Sequence, residues 1–379
     1  MRIADGFLRI AAPRAAPAPP CRIGLPWCLA PGKYAMLRDM TRVTTAAIAA
    51  AIEGSPAAGQ PPTETRTALG AGRMRRMSAA RLLVTLAAQI LQPWPSLPKA
   101  GEDSDIASID AEVVHELRIA IRRLRALIDV FSPWLKPRWH HRLNGELRWL
   151  GQSMGPARDT DVLATTTLPA LRADFPDIDW PAVEKHVEQL RRDARAQVAA
   201  ALTGERQQAL HGLLLSAFGM REDGRCKIRS AKALRRPSRT PGKRSRALAK
   251  HARNMLRAQY IALFPDCRQL AMLDTEQLHA LRVKIKKARY SAELLAPWLR
   301  KSVCSPYEST LHAAQTLLGQ LNDAVVAQRM CEAMPLHDEQ RSAMIRRLDT
   351  IIVNTTSRAA HVLGQLPDAH TLERGMRAR

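Results

Sequence analysis

Two segments of this chain carry nearly the same message 164 residues apart, and a long-range repeat of that kind restricts the fold more than any other feature. Residues 110–135 read DAEVVHELRIAIRRLRALIDVFSPWL and residues 274–299 read DTEQLHALRVKIKKARYSAELLAPWL, identical at 10 of 26 positions. Asp110/Asp274, Glu112/Glu276, His115/His279, Arg118/Arg282, Arg125/Arg289 and Pro133/Pro297 are among the matches. The same offset sets Gly155 against Gly319 and Asp159 against Asp323 with no net insertion. A duplicated structural unit is the economical explanation.

Each copy has the pattern of an amphipathic helix. Asp110 and Asp274 stand where an N-cap belongs, with Glu112 and Glu276 in the first turn, opposed to the positive end of the helix dipole. Pro133 and Pro297 stop the two helices. At about 100° per residue, Leu117, Ile121, Leu124, Ile128 and Phe131 share one face, and His115, Arg118, Arg122 and Arg125 share the other. In the second copy Leu281, Ile285 and Leu295 fall inside, and His279, Arg282, Lys286 and Arg289 outside.

Four cations three and four residues apart form a track on the order of 15 Å long. With few acids between them they repel one another unless a polyanion is present. A basic run on one helix is ordinarily a solvated face; the rebuilding of the same His-Arg geometry in a second copy argues against that. A histidine in such a place can also be a capping or core group. One His per helix, with no second ligand at coordination spacing on that face, offers no metal site.

The runs His-x-x-Arg-x-x-x-Arg-Arg-x-Arg (His115 to Arg125) and His-x-x-Arg-x-Lys-x-Lys-Lys-x-Arg-Tyr (His279 to Tyr290) resemble the CHAD domain, the conserved histidine α-helical domain. So does Arg-Asp-x-Asp-Val-Leu at 158–163. The resemblance covers roughly residues 73–363. It implies an all-α fold of two antiparallel helical bundles related by a pseudo-twofold, with the basic helices facing a shared pocket that binds inorganic polyphosphate. The residues it points to are His115, Arg118, Arg122, Arg123, Arg125, His279, Arg282, Lys286, Lys287, Arg289 and Tyr290. Val283 departs from the pattern, standing where a further cation is common, and Lys284 is expected nearer the apolar side. The triphosphate-tunnel domain that often accompanies this family has no counterpart here.

Composition agrees. The chain has 58 Lys+Arg against 35 Asp+Glu, a net charge of +23, so its partners are expected to be polyanions such as polyphosphate, RNA or DNA. Binders of single-stranded nucleic acid interleave aromatics for base stacking. The stripes hold none and only Tyr290 borders one, which favours phosphates without bases. Six cysteines at 21, 28, 226, 267, 304 and 331 form no C-x-x-C pair, which fits a reducing cytoplasm. No apolar run is long enough to span a membrane.

Along the chain, residues 1–72 are rich in Ala, Pro and Arg and are expected to be a disordered extension, or sequence upstream of a start at Met36 or Met40; Thr41 to Glu53 could form a short helix. Helices are expected over 78–92, the first signature, 138–150, 159–174, 180–203 and 205–218, with a polar loop through Asp105 before the first signature. These make a first bundle of about 73–219. From Gly224 to Pro265 there is no acid and thirteen Lys or Arg. Residues of about 220–242 are expected to be a flexible linker, interrupted by Pro237 and Pro241, before a second bundle of about 243–363. Residues 364–379 would be a flexible basic tail. Lys250, Arg253 and Arg257 share one helix face and join the candidate phosphate contacts.

Catalytic motifs are weak. Gly151-Gln152-Ser153-Met154-Gly155 matches a nucleophile elbow in letters, but that turn needs a strand before it. Gly155 and Gly319 are expected as helix stops, and Gly32-Lys33 lacks the glycine spacing of a phosphate loop. Asp159, Asp161 and Asp323 make a poor cage for Mg²⁺; capping and ion pairing that hold neighbouring arginines is the expected role of Asp159 and Asp323. The expectation is therefore a non-enzymatic polyphosphate-binding protein without cofactor or metal, cytoplasmic and associated with polyphosphate granules. A nucleic-acid-associated protein and a Mg-dependent polyphosphate-processing enzyme are the alternatives.

Overall fold

Apolar residues every three or four positions, closed off by a proline, make one helix of each signature segment. The computed structural model describes residues 70–92, 111–221, 225–235, 241–366 and 372. The expected extension before residue 70, the loop before Asp110, the Asp110 cap, Pro237 and most of the expected tail lie outside these. The helices are α1 (Ala71–Arg76), α2 (Ala79–Leu91), α3 (Ala111–Val130), α4 (Pro137–Ser153), α5 (Gly155–Val162) and α6 (Leu168–Arg172). They continue as α7 (Trp180–Thr203), α8 (Glu205–Phe218), α9 (Pro241–Arg268), α10 (Thr275–Leu295), α11 (Lys301–Cys331) and α12 (Asp338–Gly364). The described residues contain no strand, only the isolated bridges Leu135–Leu234 and Met220–Cys226.

The caps follow from sequence. The Asp274 carboxylate accepts from the Gln277 amide at 2.8 Å while the Gln277 side chain accepts from the Asp274 amide at 2.9 Å, closing a capping box on α10. Ser78 and Asp179 cap α2 and α7 more simply, each side chain accepting one backbone amide, from Arg81 and Ala182. After α3 and α10 the chain makes matching single turns, Ser132–Trp134 and Ala296–Trp298, at the two prolines.

The predicted inward faces are inward. Leu117, Ile121, Leu124 and Ile128 of α3, Phe131 just after it, and Leu281, Ile285 and Leu295 of α10 are buried, each contributing about 1.5–3 kcal/mol of burial free energy. The cores do not divide at the sequence midpoint. One cluster joins side chains of α2, α3, α4 and α8 to those of α9, α10 and α11. A second packs Leu168, Trp180 and Val183 against Ala327, Met344 and Leu348.

Four expectations change. Gly319 lies inside the 31-residue α11 and stops nothing, because Leu317, Leu318, Leu321 and Ala324 continue the buried spacing and outweigh the ~1 kcal/mol that glycine costs. The helix expected from Asp159 begins at Gly155 and is interrupted by a π-turn, Leu163–Thr167, where the Thr165 hydroxyl bonds the Asp161 carbonyl at 2.8 Å. Leu372, in the expected tail, is buried in the main core. The described part of the expected linker, 225–235, is an ordered strap. Its Lys232 and Ala233 amides bond the Ser216 and Ala217 carbonyls, the Lys136 amide bonds the Ala233 carbonyl, and Ala231, Ala233 and Leu234 are buried. The charges between these small apolar residues hid the packing.

Candidate anion-binding site

Helices α3 and α10 pack against each other, and the contact is lined by the cations expected to face outward. Arg118 and Arg122, one turn apart on α3, meet Arg282 and Lys286, one turn apart on α10, with Arg158 supplied by α5. All five are half-buried. The reason lies in the length of the side chains. Arg and Lys can lay their stems along the helix contact while their heads gather in one recess.

Backbone contacts fix part of the set. An Arg118 Nη donates to the Gly151 carbonyl at 3.3 Å, and the Arg122 Nε donates to the Arg118 carbonyl at 3.1 Å. The Arg282 Nε is buried and makes no hydrogen bond. Asp159, on α5 beside Arg158, and its counterpart Asp323 on α11 are the acids that act on these cations, yet neither forms a direct ion pair with them. Burial pushes both carboxyls above the usual carboxylate range, against the pull of Arg118 on Asp159 and of Arg282 on Asp323.

The cations are disfavoured in turn. Burial, reinforced by Arg282, Arg122 and Arg118, pushes the Lys286 ammonium down to about 7. Burial and Arg122 push Arg118 down to about 10, and burial lowers Arg282. His115 is half-buried at the α3 end of the recess, and burial, with Arg158 next, lowers its pKa below the ordinary value of 6.5. Five positive groups share a desolvated recess with two acids that do not neutralise them. Such an arrangement raises the local potential that attracts multiply charged anions.

The remaining candidates have other partners. His279 is exposed at the start of α10, with its Nδ1 3.3 Å from the Asn322 side-chain oxygen. Lys287 pairs with Asp129 at 3.0 Å, and Asp129 also takes hydrogen bonds from His140 and Asn144 at 3.0 Å, tying α10 to α3 and α4. Burial raises the Asp129 carboxyl, but Lys287 and the other donors outweigh it and hold it below its usual range. Arg289 and Tyr290 are buried: the guanidinium donates to Gln315 at 2.9 Å and lies 4.4 Å from the Tyr290 ring centre, which makes them packing groups. Arg125 is influenced by burial and then Arg148 rather than by the recess. Arg123, Lys250, Arg253 and Arg257 are not among the charges that most perturb the recess groups. Lys284 is exposed and pairs with Asp266 at 2.6 Å, away from the apolar side expected for it.

Arg158, one position before Asp159, lies outside the two repeated helices, so their spacing carries no sign that it joins Arg118 and His115. The Gly151 carbonyl carried no signal at all. Asp161 is buried and accepts from Arg191 and Arg195 at 3.0 and 3.2 Å, so it does not join Asp159. The Ser153 hydroxyl donates to the Trp149 carbonyl within helix α4, without the strand a nucleophile elbow requires. Among the described residues no three His, Cys, Asp or Glu side chains converge as metal ligands.

A family model for the CHAD domain matches residues 99–332, well over half the chain and including both signature helices, Arg158 and Asp323. The chain belongs to the CHAD family. Among solved structures, the CHAD domain from the plant Ricinus communis is 21% identical, with 84% of this chain and 97% of that one covered and a TM-score of 0.49. PptA from Streptomyces chartreusis is 15% identical, with 78% of this chain and 98% of that one covered and a TM-score of 0.51, a likeness of fold. No curated protein matches the chain. Within the CHAD region of this protein, both signature helices contribute to a single cationic recess, and no helix among the described residues is long and apolar enough to cross a membrane.

Proposed function

We propose that this CHAD domain binds inorganic polyphosphate in the recess between α3 and α10, as a binding module that catalyses no reaction, and that through this binding it associates with polyphosphate granules. The observation that carries the reading is the recess itself: Arg118, Arg122, Arg158, Arg282 and Lys286 come together half-buried with no direct ion pair, and the Arg282 Nε is buried without a partner. Leaving such groups unpaired costs free energy that a chain of phosphates recovers through charge-assisted hydrogen bonds, about 1.5–3 kcal/mol each. The near absence of aromatic groups among these residues favours a phosphate chain over stacked bases.

The test is a competition titration at near-physiological salt. Labelled long-chain polyphosphate on the full chain is displaced with unlabelled polyphosphate, RNA or DNA, in parallel with a variant carrying Arg118→Ala, Arg122→Ala, Arg282→Ala and Lys286→Ala. Displacement by polyphosphate alone, with loss of binding by at least 100-fold in the variant, is the expected result. Equal displacement by RNA or DNA, or a variant that binds normally, overturns it. Orthophosphate release that needs Mg²⁺ and is lost in Asp159→Asn would make the protein an enzyme.

A further inference from the structure

The strap between the two halves is a cationic surface that the recess does not use. It is fixed rather than slack. Gly219 ends α8 at φ 65°, the Lys227 amide bonds the Gly219 carbonyl at 2.8 Å, and the Arg235 amide bonds the Trp134 carbonyl at 2.9 Å. Ala231, Ala233 and Leu234 point into the core, while Lys227, Arg229, Lys232 and Arg235 are exposed. No acid occurs in sequence from Gly224 to Pro265.

A slack linker would let these charges spread and relax. Holding them on a short, hydrogen-bonded strap keeps like charges close, a cost with no return unless an anion lies across them. The strap is pinned to the turn after α3, the helix whose middle turns supply Arg118 and Arg122. About 18 Å of helix separates Arg118, and about 12 Å Arg122, from the end of α3, so an anion of one or two phosphates seated between them does not span to the strap. A long one can.

We propose that the strap is a second polyanion contact that engages the continuing part of a long phosphate chain, so that recess and strap together select long chains through effective concentration. This rests on the polyphosphate reading of the recess and adds a chain-length preference to it. The strap's exposed positions 225–230 and 232 carry no aromatic side chain, which favours polyphosphate over RNA here too.

The experiment uses the full chain and a Lys227→Gln/Arg229→Gln/Lys232→Gln variant, with triphosphate, long-chain polyphosphate and single-stranded RNA as probes at several salt concentrations. The three side chains are exposed, and an unchanged thermal midpoint verifies the fold. Triphosphate affinity is expected to stay within twofold, while long-chain affinity falls about tenfold or more. The log–log salt slope should flatten by about 2, as three contacts at roughly 0.7 each require. Long-chain affinity and slope equal to the unsubstituted protein overturn the proposal while leaving the recess intact. Loss confined to RNA also overturns it, assigning the strap to nucleic acid. If the unsubstituted chain fails to bind even triphosphate or polyphosphate, the reading of the recess falls instead.

Discussion

Lys286 concentrates the chemistry of the recess in one side chain. Buried beside Arg282, Arg122 and Arg118, its ammonium is pushed down to about 7, so the ligand-free protein sheds that proton near neutrality. A bound polyanion favours the charged form and draws the proton back. Affinity should therefore fall as pH rises above 7 towards the ordinary lysine range, by up to about tenfold per unit, since one proton is taken up on binding. Stability of the ligand-free protein should move the other way, because in that window the unfolded chain holds a proton that the folded one lacks. Titrations between pH 6 and 9 check both. In Lys286→Met the pH dependence above 7 should vanish and affinity fall about 10- to 100-fold. The ligand-free variant should gain about 1–2 kcal/mol in denaturant unfolding, since an apolar group of similar size replaces an unpaired buried charge. The cation stripe was legible in the sequence at this level because its spacing is local. The partners of Lys287 and Arg289, Asp129 and Gln315, were not legible because they lie on other helices.

Among the elements, α3 and α10 were readable from periodicity, caps and prolines, all of which act within one or two turns. The strap was not, because long-range hydrogen bonds and three small buried side chains order it. Its hinge is Gly219, where an added Cβ would lie 2.3 Å from the Lys227 carbonyl oxygen and 2.7 Å from the Ala231 amide nitrogen. Gly219→Ala combines a left-handed backbone with that clash and should cost about 2–4 kcal/mol in denaturant unfolding. Gly319→Ala, in the middle of α11 with open space around the added carbon, should be neutral or stabilise by up to about 1 kcal/mol. Equal effects at the two glycines would show that the strap is not held as described.

For the molecule as a whole, the duplication suggested halves with their own interiors, yet both hydrophobic clusters take side chains from before and after the strap. Residues 66–219 expressed alone should therefore lack a cooperative unfolding transition and expose apolar surface, as dye binding and circular dichroism would show. A stable, cooperatively melting fragment would contradict the shared core. Local order along the chain follows from nearest-neighbour chemistry: the all-α class, the signature helices, the Ser78, Asp179 and Asp274 caps and the cationic faces are dictated by residues a few positions apart. The tertiary packing of α3 on α10 turned two outward-looking stripes into one recess, added Arg158 and the Gly151 carbonyl, and removed Arg289 and Tyr290 to the interior. Those outcomes depend on which distant side chains share a volume and how much water they exclude, and neither quantity is encoded in the spacing of residues along a single helix.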